Sequence, residues 1–250
     1  MDEVTHKLDK RDRLVVYTAL FGDYDDLIDP PEKFEGCDFV CFTDQKHLKS
    51  EIWEIRLVEE FDFPPNMMNR KFKFFPNNFF SEYDVSLYLD SNISLLSSPF
   101  NLAKKVLKKH ILAIPKHVRR NCIFEESKVV LERNLSKKED VLAQMDFYQE
   151  HGMPENYGLG EMNIIFRFHN NEHVISVMYD WWEQINTFSK RDQLSFMFCA
   201  WRAGLDVGLI EETSRKPNKY FYANCHKHNS SVEKLKRYLK RLFYKFYYGY

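Results

Sequence analysis

The sequence predicts an α/β fold in which a mostly parallel central sheet is flanked by helices. Short runs of apolar and β-branched residues alternate along the chain with longer amphipathic segments. Several of the short runs are apolar at every position, which is typical of strands that are buried on both faces. The chain has 250 residues and 44% apolar residues, enough for one large domain with a sizeable core.

Turn residues bound most of these elements. The first strand opens the stretch 13–26 and breaks at Gly22. The other predicted strands lie within 37–44, 52–58, 85–90, 111–115, 158–170 and 206–210. The predicted helices cover 64–75, 99–110, about 123–150, 172–186 and 191–203, and the first of them opens with proline and is closed by Pro76.

The stretch "YDVSLYLDSNISLL", residues 83–96, carries the clearest chemical signal. A buried strand leads to Asp90, and residues two apart in an extended segment point to the same side, so Asp90 and Asn92 can face one point. Carboxylate and amide oxygens suit Mg²⁺ or Mn²⁺. In parallel sheets, ligands bind beyond the carboxyl ends of the strands. The alternative is that both side chains cap a turn.

Composition narrows the class of protein. The formal net charge is −1, which does not favour nucleic acid as a partner of the whole chain. Five cysteines form no C-x-x-C pair, and their odd number favours reduced thiols over disulfides or a zinc site. The charged N-terminus resembles no secretory signal, and no apolar run reaches the ~20 residues of a membrane span. We therefore expect a cytoplasmic protein.

Six blocks occur together in one order: "VVYTALFGDYDDL", "CDFVCFTD", "NRKFKFFP", "YLDSN", "CIFEE" and "RDQLSF". In this the chain resembles the glycosyltransferase-like hexosyltransferase domain family, found in plant turgor-regulation-defect type proteins and in bacterial sugar-polymer loci. The resemblance covers roughly residues 13–228. It implies a GT-A type fold, a nucleotide-sugar donor and a divalent metal at a D-x-D-like element. Here that element is D-S-N, so its second acidic residue is replaced.

Two basic residues are candidates for binding a diphosphate. Arg70 and Lys73 lie three apart on a predicted helix and therefore share a face. Arginine offers a fork of donors and lysine a point charge. A solvated basic face is the alternative. Ser91, between the two candidate metal ligands, is assigned to the donor as well.

The end of the first strand is a candidate site for the base and ribose. The resemblance places Thr18, Ala19 and Gly22 there, and Gly22 would allow close approach of the backbone to a ligand. Asp44, at the end of the second strand, is a candidate acceptor of hydrogen bonds from the same group. Ordinary turns explain all four residues equally simply.

Late in the chain, "NCHKHN" places His226 and His228 on one side of an extended segment. Imidazole is a good ligand of Mn²⁺, and GT-A enzymes often take a third metal ligand from a late histidine. We expect His226 or His228 to complete the metal site, and His226 is preferred. Surface histidines without a ligand are the alternative.

Three residues are candidates for roles near the reacting sugar. Asp192 and Gln193 begin a helix in "SKRDQLSF", where a carboxylate could orient hydroxyls or act as a base. Ser189 and Asp192 also fit a capping box, which needs no function. Glu161, after a glycine pair, is a candidate on the acceptor side.

The chain is divided into a domain, residues 1–228, and a basic aromatic tail, residues 229–250. The tail predicts an amphipathic helix of the interfacial kind. Its apolar face comprises Leu235, Tyr238, Leu239, Leu242, Phe243 and Phe246. We expect peripheral contact with an anionic membrane, on its inner face, and the alternative is docking on its own domain or a second subunit.

The sequence thus predicts a metal-dependent glycosyltransferase that moves a sugar from a UDP-linked or similar donor to a hydroxyl of a glycan or lipid-linked acceptor. Two alternatives stay open. One is a non-catalytic glycan- or partner-binding module with a decayed metal site. The other is a sugar-phosphate nucleotidyltransferase. That class usually has a basic glycine-rich loop after the first strand, whereas the segment here, "ALFGDYDD", is acidic, which argues against it.

Overall fold

A computed structural model describes residues 13–248. Within this range the strands are β1 (Leu14–Leu20), β2 (Cys37–Thr43), β3 (Glu54–Leu57), β4 (Val85–Leu89), β5 (Ile93–Leu95), β6 (Leu112–Pro115), β7 (Ile164–Phe168), β8 (Val207–Ile210) and β9 (Phe221–Ala223). The α-helices are α1 (Pro65–Phe74), α2 (Phe100–Leu107), α3 (Ile123–Glu132), α4 (Lys138–Glu150), α5 (Glu172–Thr187), α6 (Asp192–Ala203) and α7 (Ser231–Tyr248).

A seven-stranded sheet in the order β3-β2-β1-β4-β7-β6-β8 forms the centre of the molecule. All of its strands are parallel except β7, which runs antiparallel to both β4 and β6. The mostly parallel α/β sheet that the sequence predicts is therefore confirmed. Because β7 is reversed, its amino end lies at the edge where the other strands have their carboxyl ends.

Both faces of this sheet are covered. Every residue of β1 is buried, and alternate residues enter two different apolar clusters. Helices α1 and α3 to α6 contribute to the cluster on one face, whereas α2, β5 and β9 contribute to the cluster on the other. Fully burying one such large side chain stabilises the fold by about 1.5–3 kcal/mol, so β1 is strongly fixed in register.

The small antiparallel pair β5-β9 was not predicted, because each strand is only three residues long. It brings the segment after β4 together with the segment before α7. The predicted helical region 123–150 is two helices, and Asn134, at a φ of 51°, lies in the break between them. The capping box also differs from prediction, because Arg191 is the N-cap of α6 and no side chain caps it.

Helix α7 begins where the tail was predicted to be helical, and it packs on the domain through its polar side. Arg237 donates from Nη1 to the Ala223 carbonyl at 2.7 Å, and the Tyr222 hydroxyl donates to the Arg237 carbonyl at 2.7 Å. Its predicted apolar residues are exposed. In the described part of the chain, no helix is both long and apolar enough to cross a membrane.

Candidate functional site

A cleft of about 1260 Å³ opens at the carboxyl edge of the main sheet. The segments after β1, β4 and β6 line it, together with the amino ends of β7 and α6 and one side of α7. Loops at this edge come from many elements, which is why polar groups distant in sequence meet here. The cleft is the natural candidate for a ligand site.

Asp90 stands at the end of β4 and is held in place by its neighbours. Its backbone N–H donates to the Asn163 carbonyl at 2.9 Å, across the β4–β7 pair. Its Oδ1 lies 3.4 Å from Lys73 Nζ, and the same ammonium donates to Asp192 Oδ2 at 2.7 Å. Lys73 therefore links the end of β4 to the start of α6.

Lys73 is a buried cation, with only 3% of its side chain exposed. Its ammonium also lies near the rings of Tyr88 and Trp181, at 5.1 and 5.9 Å from their centroids. Burial alone would raise the pKa of Asp192, but the charges of Lys73 and Arg70 outweigh it and lower that pKa to about 2. Asp192 is thus ionised throughout the neutral range.

The turn after Asp90 is tied to the C-terminal segment. Asn92 donates from Nδ2 to the Asn224 carbonyl at 3.2 Å, which leaves its Oδ1 as an acceptor. The Ser91 hydroxyl donates to Asp25 Oδ2 at 3.0 Å. Asp25 also contacts His226, whose Nδ1 lies 3.0 Å from the same oxygen. The hydrogen bond to Asp25, opposed by partial burial, raises the pKa of His226.

His228 is less suited to ligate a metal than His226. Its Nε2 lies 3.0 Å from the Asp23 carbonyl, and its side chain is exposed although it borders the cleft. The Nε2 of His226 makes no hydrogen bond to any side chain or backbone group that the structure describes.

Of the four residues predicted to bind the base and ribose, two border the cleft and two do not. Ala19 and Gly22 border the cleft, and Gly22 adopts a φ of 67° that favours glycine. Thr18 and Asp44 do not border it. Thr18 is buried in β1, and both carboxylate oxygens of Asp44 accept from the Gly22 N–H at 3.0 Å. Asp44 therefore stabilises the turn at Gly22 from outside the cleft.

Glu161 borders the cleft but is only 2% exposed. It accepts from the Thr213 hydroxyl at 2.5 Å and pairs with Arg215 at 2.8 Å. Burial raises its pKa, against the opposing effect of Arg215. Gln193 donates from Nε2 to the Gly160 carbonyl at 3.1 Å, so the start of α6 is fixed against the loop that carries Glu161.

The cleft is strongly basic, although the whole chain carries a formal charge of −1. Among the described residues that line it are ten Lys or Arg and five Asp or Glu. The Nε–H groups of Arg70 and Arg191 are buried and make no hydrogen bond to any described residue. An excess of positive charge around a cleft favours an anionic ligand.

Most predicted site residues thus meet in one cleft, and Thr18 and Asp44 stay outside it. Several residues that line the cleft were not predicted, and three charged ones among them are close to the predicted site residues. Asp25 is buried in the loop after β1, Arg191 precedes Asp192, and Arg237 reaches the cleft from α7. The acidic run "GDYDD" was visible in the sequence, but nothing in it distinguishes the one buried aspartate from its exposed neighbours.

Oxygen and imidazole groups suited to Mg²⁺ or Mn²⁺ are present in this cleft. Asp90 and Asn92 offer oxygens, and His226 offers Nε2. Among the described residues, no three His, Cys, Asp or Glu side chains are grouped to hold an ion by themselves. In residue type, Asp90, Asn92 and His226 fit one of these two ions.

Fold and cleft together define an α/β protein with a basic cleft at the carboxyl edge of its sheet. The sequence profile of the TOD1/MUCI70, glycosyltransferase-like domain family matches residues 1–233, and the chain belongs to this family. The predicted family is confirmed, and so is the predicted α/β class with a mostly parallel central sheet. No curated protein matches the chain in sequence.

Several solved glycosyltransferases are similar to the chain. They include the bifunctional glycosyltransferase WbbM in its apo form (TM-score 0.46, 10% identity) and the glycosyltransferase GlyE of Streptococcus pneumoniae TIGR4 (TM-score 0.43, 12% identity). The alignments cover 84% and 80% of this chain, but only 40% and 45% of those proteins. A third is the galactosyltransferase LgtC in complex with donor and acceptor sugar analogs (TM-score 0.40, 10% identity), covering 74% of this chain and 70% of LgtC.

Proposed function

We propose that this protein transfers a sugar from a nucleotide-diphosphate donor, UDP-linked by preference, to a hydroxyl of a glycan or lipid-linked glycan. The observation that carries the proposal is the meeting of Asp90 and Asn92 with an excess of cationic side chains in one cleft. A diphosphate needs both positive charge and hydrogen-bond donors. Membership of a glycosyltransferase-like family supports the same chemistry.

The proposal includes Mn²⁺ or Mg²⁺, with Asp90, Asn92 and His226 as its protein ligands. When bound, the ion would offset the charge that develops on a diphosphate leaving group. Arg70 and Arg191, whose side chains line the cleft, would add positive charge beside the diphosphate. Lys73 was predicted to contact the diphosphate. Its contacts favour instead a role in holding Asp90 and Asp192 in place.

Asp192 would orient sugar hydroxyls rather than remove a proton. A carboxylate with a pKa of about 2 is a weak base at neutral pH. Gln193, anchored to the Gly160 carbonyl, would offer its Oε1 to the same sugar. Glu161 has a raised pKa, which suits a base better, but the hydrogen bond that it accepts from Thr213 and its ion pair with Arg215 must first open.

The test is nucleotide release from a panel of UDP- and GDP-sugars, with Mn²⁺ and with chelator. One donor should be hydrolysed in a metal-dependent way, and Asp90→Ala should lower the rate by at least about 100-fold, as loss of a group that stabilises transition-state charge does. Asp84→Ala is the matched control, because Asp84 is exposed just before β4, at its opposite end.

Hydrolysis can be too slow to detect when no acceptor is present. Binding of the same donors is therefore measured as well, by calorimetric titration. A donor that binds only with Mn²⁺ supports the proposal. Binding without any metal effect or turnover points to the non-catalytic module. If no nucleotide sugar binds, the proposal is wrong.

The tail forms a second part of the proposal. Leu239 and Leu242 of α7 are 56% and 44% exposed, while Lys236, Arg237 and Lys240 on its other side line the cleft. Contiguous exposed apolar side chains flanked by lysine and arginine fit the surface of an anionic bilayer, where each nearby cation contributes ~1 kcal/mol. The cleft would then open close to the membrane, on its cytoplasmic face, which suits a lipid-linked acceptor.

Sedimentation with vesicles tests this. The protein should bind vesicles that contain phosphatidylserine and should not bind vesicles of pure phosphatidylcholine. Leu239→Glu with Leu242→Glu should abolish binding, whereas Leu142→Glu, at an exposed leucine of α4, should not. Equal binding by all three proteins would contradict the membrane assignment.

A further inference from the structure

Asp25 is a buried carboxylate that joins two distant parts of the cleft. Its side chain is 4% exposed, and it accepts hydrogen bonds from the Ser91 hydroxyl at 3.0 Å and the Lys227 N–H at 3.2 Å. His226 Nδ1 lies within 3.1 Å of both its oxygens. The turn after β4 and the segment before α7 thus meet on one side chain.

The contact with Asp25 determines which nitrogen of His226 is protonated. An ionised carboxylate only accepts hydrogen bonds, so Nδ1 must carry the proton. In the neutral ring Nε2 is then left with its lone pair, for which no described side chain forms a hydrogen bond. The ring also packs against Tyr24, with 5.0 Å between ring centroids. The histidine is therefore fixed in tautomer and in orientation.

Ser91 extends the same arrangement to the D-S-N turn. It lies between Asp90 and Asn92, so its bond to Asp25 restrains the segment that carries both oxygen groups. The turn lacks the second acidic residue of a D-x-D element. Asp25 places a carboxyl group beside it from another part of the chain.

We propose that Asp25 is the positioning residue of a metal site, which orients His226 and the D-S-N turn so that His226 Nε2, Asp90 and Asn92 face one ion. The proposal rests on the proposed function for the presence of that ion. Carboxylates that accept from a metal-bound histidine stabilise its orientation and raise its basicity, and their loss weakens metal binding by about 10–100-fold.

The experiment measures Mn²⁺ binding by calorimetry, with the metal alone and with UDP present, and needs no catalytic turnover. Asp25→Asn should weaken Mn²⁺ binding by about 10–100-fold. Asp26→Asn is the matched control, because the adjacent Asp26 side chain is 77% exposed, and it should leave binding unchanged. Unfolding curves of both variants show whether the fold is retained.

The triple variant separates positioning from direct ligation. In a background of His226→Ala with Ser91→Ala, Asp25→Asn should cause little further loss, because both side chains through which Asp25 acts are already removed. A full additional loss would show that Asp25 binds the ion itself and would overturn the proposal. So would wild-type protein that binds UDP with no effect of Mn²⁺, although donor binding would then still support the transferase.

A measurement on the wild-type protein tests the proposal even if the Asp25→Asn variant does not fold. Nitrogen NMR of labelled histidine at roughly pH 9, where imidazole is neutral, should show His226 protonated at Nδ1 and bare at Nε2. The opposite tautomer would overturn the proposal.

Discussion

Two lysines of this protein each bridge two aspartates, and their surroundings differ. Lys73 contacts Asp90 and Asp192 inside the cleft, with 3% of its side chain exposed. Lys227 makes the same kind of bridge at the rim, with 37% exposed. The chemistry of the two clusters is alike, so the comparison isolates the effect of burial.

At the rim, Lys227 pairs with Asp23 and, at 3.6 Å, with Asp26, and both carboxylates are 77% exposed. Water solvates all three charges there whether or not the bridge forms, so the bridge adds little. Around Lys73, solvation has been removed from the lysine and partly from its partners. Losing one member there leaves charges without water or counter-charge. The buried cluster around Lys73 therefore holds the side chains of the site in place, whereas the exposed cluster around Lys227 contributes little to stability.

Lys73→Met should produce the largest effect on stability. It leaves Asp90 and Asp192 close together without their shared cation, and we expect the free energy of unfolding to fall by about 3 kcal/mol. Urea denaturation measures the change. Adding Asp192→Asn to this variant should recover part of the loss, because it removes one of the two repelling charges. A loss as small as that of an exposed pair would show that burial does not matter here.

Asp192→Asn should produce a smaller effect that depends on pH. The pKa of Asp192 is lowered in the folded protein from 3.8 to about 2. A lowered pKa stabilises the fold above the unfolded value and loses that effect as pH falls towards the folded value. The difference of nearly two units corresponds to about 2 kcal/mol.

The urea midpoints of wild type and Asp192→Asn should therefore differ at neutral pH, and the gap should narrow at about pH 3. A gap that is constant across this range would mean that the charge of Asp192 does not contribute to stability, and that the side chain acts only through its hydrogen bonds.

The fold was largely predictable because its signals are local. The apolar runs of β1 and β4 and the prolines around α1 show directly in the sequence, and these elements formed where expected. The reversal of β7 was not predictable in the same way. Its direction is set by pairing with strands far along the chain, and an apolar run reads alike in either direction.

The site was predicted as a set of residues but not as a network. Strand-end reasoning found Asp90 and Asn92, and helix spacing placed Arg70 and Lys73 on one face. Neither could show that the Lys73 ammonium bonds to Asp192, 119 residues away. Whether a single polar residue in a loop is buried, as Asp25 is, depends on which distant segments pack over it. The local sequence around such a residue does not show this.

Lys227→Gln should have the smallest effect and completes the comparison. The hydrogen bond from the residue 227 backbone to Asp25 is retained, so only the exposed bridge is lost. We expect a urea midpoint equal to that of wild type within error, and any small difference should vanish in high salt, which screens exposed charges. The Lys73→Met difference should persist in the same salt, because buried pairs are screened much less. If salt removed both differences equally, the cluster around Lys73 would be as accessible to ions as the one at the rim, and its assignment as the fixed part of the site would be wrong.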